Sequence, residues 1–429
     1  MPEGYSGLVS QCQRVLGSCG YSKMSKSNFS FQWATGIENT FIPQSRFGLR
    51  PLEEYELTQH YSLWQSDLDL VASLGISHLR WGIPWYRVQP APDRWDWAWA
   101  DKVLDYMVNI KKIQPILDLM HYGTPLWLDN SFINAGYPAR VAEYAYAVAE
   151  RYGALIECYT PLNEPTVNAE FSGRRGCWPP YLEGDDGYVK VLMQIARGIV
   201  LTIQAVRQGQ SNPVFVQVEA MGWSWAESPV HSALVENDRN HELLAFDLVT
   251  GRVGVLHPLW EYLQAHGVSQ SELEWFHVKA VSIDVLGVNL YPWSGGAWVT
   301  GTDNQPCRHG ELTGAHMADV MRYSWGKYQL PLMVTETSAR RDVSGRSVWM
   351  DETISAVRAV QGEGIPVVGY TWFPAMTMID WEYRNDGKPL TEHLVHLGLW
   401  DSELNHDGVL VRNPTALAAR YQRYIQGQL

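Results

Sequence analysis

Thr160-Pro161-Leu162-Asn163-Glu164-Pro165 and Leu332-Met333-Val334-Thr335-Glu336-Thr337 decide how this chain is read. Each carries a short apolar run to a glutamate, the pattern of a buried parallel strand that delivers a side chain to the rim of a barrel. The sequence between them has room for about three strand–helix units of ~30 residues or more. Working outward, similar runs recur at 31–34, 77–81, 115–120, 157–162, 214–218, 285–290, 332–335 and 367–372. Helical patterns separate them at 64–74, 98–110, 139–151, 189–206, 317–328 and 348–361. Within 189–206, Val191, Ile195 and Ile199 repeat at helical spacing. The long segment 220–280 holds further helical patches at 233–248, 258–265 and 271–278. Eight strands alternating with helices predict one α/β domain, a (β/α)8 TIM barrel over 29–429, after a loose extension over 1–28.

Bulk properties narrow the function class. Among the 429 residues, 46% are hydrophobic and 18% charged, ample material for a core. The net charge of −13 argues against nucleic acid or an anionic membrane as partner. A small neutral carbohydrate fits, and oligomeric state is not readable. Five cysteines (Cys12, Cys19, Cys158, Cys177 and Cys307) form no CxxC pair, so a disulfide framework or zinc site is not expected. Residues 1–28 lack a continuous apolar stretch, and no run approaches the roughly 20 residues of a membrane span. The expectation is a cytoplasmic protein. Twenty tryptophans and 22 tyrosines serve core packing first, and some suit a cleft in which flat rings meet pyranose faces.

In a barrel of this kind, chemistry sits at the C-terminal strand ends. Those positions hold Glu38 or Asn39, Arg80 with Trp81, His121, Asn163 with Glu164, Glu219, Asn289 with Tyr291, Glu336, and Trp372 with Asp380 and Trp381. Nearly all can bind a sugar. Two converging carboxyl groups are what glycoside hydrolysis requires. No phosphate-binding glycine loop, metal-ligand cluster or Ser-His-Asp set emerges, so neither a metal nor another cofactor is expected.

With these residues set out, the chain resembles glycoside hydrolase family 1, the β-glucosidase and β-galactosidase family. Leu79-Arg80-Trp81-Gly82-Ile83-Pro84-Trp85-Tyr86-Arg87-Val88-Gln89-Pro90 aligns with its YRFSISWSRILP stretch. Met120-His121-Tyr122 with Pro125 resembles YHWDLP, and Asn163-Glu164-Pro165 matches NEP. Asp284-Val285-Leu286-Gly287-Val288-Asn289-Leu290-Tyr291 resembles DFLGLNYY, and Val334-Thr335-Glu336 opens a (I/V)TENG motif. Leu397-Gly398-Leu399-Trp400-Asp401 resembles FGLYDVD. There are departures. Ala34-Thr35-Gly36-Ile37-Glu38-Asn39 stands for ATAAYQ, Thr337-Ser338 replaces Asn-Gly, and Met378-Ile379-Asp380-Trp381 replaces NFEW.

The resemblance implies a retaining, exo-acting β-glycosidase for small β-glucosides, β-galactosides or β-fucosides. Glu336 would be its nucleophile and Glu164 its acid/base. It implies that Arg80 and Tyr291 hold Glu336, that Asn163 reads the sugar 2-OH and His121 the 3-OH region, and that Trp372 and Trp381 form walls. Asn39, Glu38, Asn289 and Asp380 complete the expected substrate set, and Glu219 is expected in a rim ion pair. No Ser-x-Lys-x-x-Tyr pattern follows Trp381, which disfavours a 6-phosphosugar. A transglycosidase using the same glutamates and a non-catalytic carbohydrate-binding barrel are the alternatives.

Overall fold

The computed structural model describes residues 30–429. The extension expected over 1–28, with Cys12 and Cys19, lies outside the described residues. Eight parallel strands close into a barrel: β1 Gln32–Gly36, β2 His78–Gly82, β3 Gln114–Asp118, β4 Cys158–Thr160, β5 Val214–Ala220, β6 Val285–Asn289, β7 Leu332–Glu336 and β8 Val367–Trp372. β1 pairs with both β2 and β8, which closes the ring. Every residue of β2, β6, β7 and β8 is buried, because one face fills the barrel and the other meets the helices. The TIM barrel expectation and all eight strand locations hold, with ends displaced by a few residues at most.

Strand alternation sorts the aromatics. In β2, Arg80 turns into the barrel, while Trp81 turns outward and donates its indole N–H to His60 Nε2 at 3.2 Å. His60 opens α1, His60–Ser73. Helix α2 (Ala98–Asp105) continues into a π-turn at Tyr106–Ile110, and α3 spans Tyr137–Tyr152. Helix α4, Gly184–Gly209, is longer than the periodic stretch suggests, and Val191, Ile195 and Ile199 are all buried on it. Contrary to the sequence expectation, its length and apolarity reach those of a membrane span. Even so, 72% of its most apolar window is buried inside the fold.

Beyond β5 and β6 the chain builds a small separate sheet from Trp223–Ala226, Gly295–Thr300 and Pro306–His309. A register shift in β7 between Val334 and Glu336 places Glu336 directly opposite Asn289 of β6. That irregularity sets up the site described next.

Candidate active site

Glu164 stands just beyond β4 as the N-cap of the short helix Pro165–Ala169. Its backbone is left-handed, φ 47°, which a non-glycine residue adopts at a cost and which recurs at functional sites. Pro165 then starts the helix with its φ already suited to it. The Glu164 carboxyl is buried and accepts two hydrogen bonds. Asn289 Nδ2 donates to Oε1 at 2.7 Å, and the Tyr122 hydroxyl donates to Oε2 at 2.6 Å. Thr335 Oγ1 donates to Asn289 Oδ1 at 2.7 Å, which fixes the amide so that its NH2 faces Glu164.

Glu336, at the end of β7, is held in the same manner. Arg80 Nη1 donates to Oε1 at 2.6 Å, and the Tyr291 hydroxyl donates to Oε2 at 2.7 Å. Burial lifts this carboxyl above the usual glutamate range; Arg80 opposes the rise and the Glu164 charge adds to it.

Arg80 is fully buried and ties the floor together. It contacts both oxygens of Asp118, at 3.0 and 2.8 Å, and Asn163 Oδ1 at 3.1 Å. Asp118 also meets His121 Nδ1 at 3.1 Å. Asn163 uses both amide hydrogens, toward His121 Nε2 and the Tyr122 hydroxyl, each at 2.9 Å. That leaves Nε2 as an acceptor and Nδ1–H facing Asp118. A sugar hydroxyl reaching Asn163 must therefore exchange with one of these internal bonds.

The expected set is thus partly assembled and partly corrected. Glu164, Glu336, Arg80, His121, Asn163, Asn289 and Tyr291 form one hydrogen-bonded cluster. Trp372 does not join it. It is fully buried on the outer side of β8 and donates to the Leu397 carbonyl at 3.1 Å. Phe373, one residue on, takes the inward place. Its ring lies parallel to His121 at 6.5 Å and under the Arg80 guanidinium at 5.2 Å. Gly36 makes room for it, since a Cβ there would fall 2.3 Å from the Phe373 ring.

Asn39 makes no hydrogen bond within that cluster. Its amide lies against Gly82, with both polar atoms buried and unpartnered. Glu38 comes to the site, with Oε1 3.7 Å from His121 Nε2. Three donors, Asn39 N, Thr40 N and Thr40 Oγ1, converge on that same oxygen.

Asp380 is engaged elsewhere. Arg340 pairs with it at 2.6 Å, and it caps the turn at Glu382. Trp381 packs edge-on against Tyr122, beside Phe171 and Trp178, with its indole N–H buried and unpartnered. It remains a candidate wall with a donor to offer.

Glu219 forms no rim ion pair. It is fully buried, Gln217 is its hydrogen-bond partner at 3.0 Å, and its second oxygen has none. Burial holds its carboxyl well above the usual range. The sequence reading missed Asp118, Tyr122, Thr335 and Phe373. Only Asp118 left a local signal, an acid inside the apolar run Ile116-Leu117-Asp118-Leu119-Met120.

Residues 54–227 match the profile of Glycosyl hydrolase family 1. Over that span, less than half of its length, the chain is similar to that family. It is 24% identical over 264 residues to a 1,4-beta-D-glucan glucohydrolase of Thermotoga neapolitana, covering 58% of this chain and 60% of that protein. It is 25% identical over 128 residues to putative beta-glucosidase 17 of Oryza sativa subsp. japonica, covering 28% and 42%. These alignments span less than two thirds of the curated relatives. A family 1 β-glucosidase structure from Thermotoga maritima superposes with TM-score 0.80 at 16% identity, covering 93% of this chain and 98% of that one. At that identity the superposition speaks for the fold, and it agrees with the barrel described above.

Proposed function

We propose that this barrel is a retaining β-glycosidase for small β-glycosides, with Glu336 as nucleophile and Glu164 as acid/base. One observation carries the reading. Two buried carboxyl groups on different strand ends are electrostatically coupled, and each is aimed by two separate donors.

Glu336 would attack the anomeric carbon while Arg80 and Tyr291 fix its two oxygens. Glu164 would protonate the departing aglycone oxygen, leaving a glycosyl ester on Glu336. Esterification removes one of the two neighbouring charges, after which Glu164 can take a proton from water. Glu38 and His121 together present an acceptor-rich edge for the glycone hydroxyls, with Phe373 beneath. The names of the related proteins make a β-glucoside the first substrate to try, with the fucoside and galactoside next.

The test is hydrolysis of aryl β-glucoside, β-galactoside, β-fucoside, β-mannoside and β-xyloside, with Glu336→Ala as control and the first-formed anomer read by proton NMR. Glu336-dependent release of the β-anomer is expected. Initial α-anomer would overturn retention, and release that survives Glu336→Ala would overturn the nucleophile.

A further inference from the structure

The Tyr122 hydroxyl lies between Asn163 and the proposed acid/base. It accepts from Asn163 Nδ2 at 2.9 Å and donates to Glu164 Oε2 at 2.6 Å. The residue is almost fully buried, its backbone carbonyl accepts from Asn168 Nδ2 at 3.1 Å, and its ring is packed by Trp178, Trp381 and His121. The phenol therefore has one accessible orientation. With the Asn163 N–H already filling its acceptor side, its own proton is committed to Glu164. The motif that this stretch resembles has tryptophan at this position, so the phenol–carboxylate contact is a feature of this chain.

We propose that Tyr122 is a positioning residue for Glu164, holding one carboxylate oxygen and so aiming the carboxyl group at the leaving group. The proposal rests on the acid/base reading of Glu164. Asn289 holds Oε1 from the β6 side and Tyr122 holds Oε2 from the β3 side, so the two donors define the carboxylate plane between them. Losing one of them frees a rotation about the last side-chain bond. It also removes a charge-assisted hydrogen bond.

Tyr122→Phe keeps the ring in its aromatic cluster and deletes only the hydroxyl. Three readouts test it. First, kcat/KM should fall most for aryl glycosides with poor leaving groups and least for dinitrophenyl glycosides, which need little acid assistance. Second, the pH profile of kcat/KM should differ from that of wild type, since a hydrogen bond accepted by the carboxyl group is lost. Third, trapping by an activated 2-fluoro glycoside should still label Glu336 in wild type and variant alike.

A leaving-group slope and pH profile that superimpose on wild type, with labelling intact, would overturn the Tyr122 proposal and leave the glycosidase reading standing. Failure of wild type to be labelled at Glu336 would overturn the retaining mechanism and this proposal with it. A lower melting temperature with unchanged slope and profile would reduce Tyr122 to a packing residue and also overturn the proposal.

Discussion

Arg80 Nη1 lies 2.6 Å from Glu336 Oε1, with 0% of the arginine side chain and 6% of the glutamate side chain exposed. One guanidinium thereby serves Glu336, Asp118 and Asn163 at once. A lysine cannot reproduce that fork, because its ammonium is a single point charge. Arg80→Lys should lower kcat/KM by about 100-fold or more while the protein stays folded. Arg80→Met should cost about 3–5 kcal/mol of stability in denaturant titrations, because it strands buried carboxylates. Wild-type stability in Arg80→Met would refute the buried network.

Phe373 and Trp372 make opposite predictions from adjacent positions. Phe373→Leu should depress kcat/KM with a small change in melting temperature, since the ring backs His121 and Arg80. Trp372→Ala should leave the site chemistry and remove about 3–5 kcal/mol of stability through a core cavity. The reverse pattern would mean that Trp372 is the sugar-facing aromatic.

Glu38 and Asn39 separate in the same way. Glu38→Gln should change the ratio of kcat/KM between glucoside and galactoside, whereas Asn39→Ala should leave that ratio unchanged. A Cβ on Gly82 would stand 1.9 Å from Asn39 Nδ2. Gly82→Ala should therefore cost about 1–3 kcal/mol, with Asn39→Ala restoring much of it in the double variant. Additive losses, measured by chemical denaturation, would place Asn39 elsewhere.

Glu219 predicts a pH effect whose direction follows from linkage. Its carboxyl is raised in the folded state by burial, so the native protein retains a proton that the unfolded chain releases above the ordinary glutamate range. Stability from this group is full at low pH and falls by about 1.4 kcal/mol per pH unit between the unfolded and folded values. Glu219→Gln should flatten that fall and raise the melting temperature at pH 7–8 relative to wild type. An unaltered slope would mean that Glu219 is ionised in the fold.

Trp381 offers a simpler check. Its indole N–H is buried and unpartnered, and its ring packs edge-on against Tyr122. Trp381→Phe should weaken glycoside binding, seen as a rise in KM of about tenfold for one hydrogen bond of ordinary strength. An unchanged KM would assign the ring to packing alone.

The sequence by itself determined the eight strands, most of the helices and both glutamates. These signals are local: an apolar run has a length, a helix has a period, and Glu164 and Glu336 each close their own strand. Seven of the proposed site residues could be named in advance because each lies at or just past a strand end. Only the tertiary structure decided which residue of a neighbouring pair turns inward. Trp372 and Phe373 differ by one position, and one position reverses the face of a strand. The partners of Glu164 come from two different strand ends: Tyr122 follows β3 and Asn289 ends β6, while Thr335, in β7, orients Asn289. Their meeting depends on barrel closure and on the register shift beside Glu336, which no local period encodes.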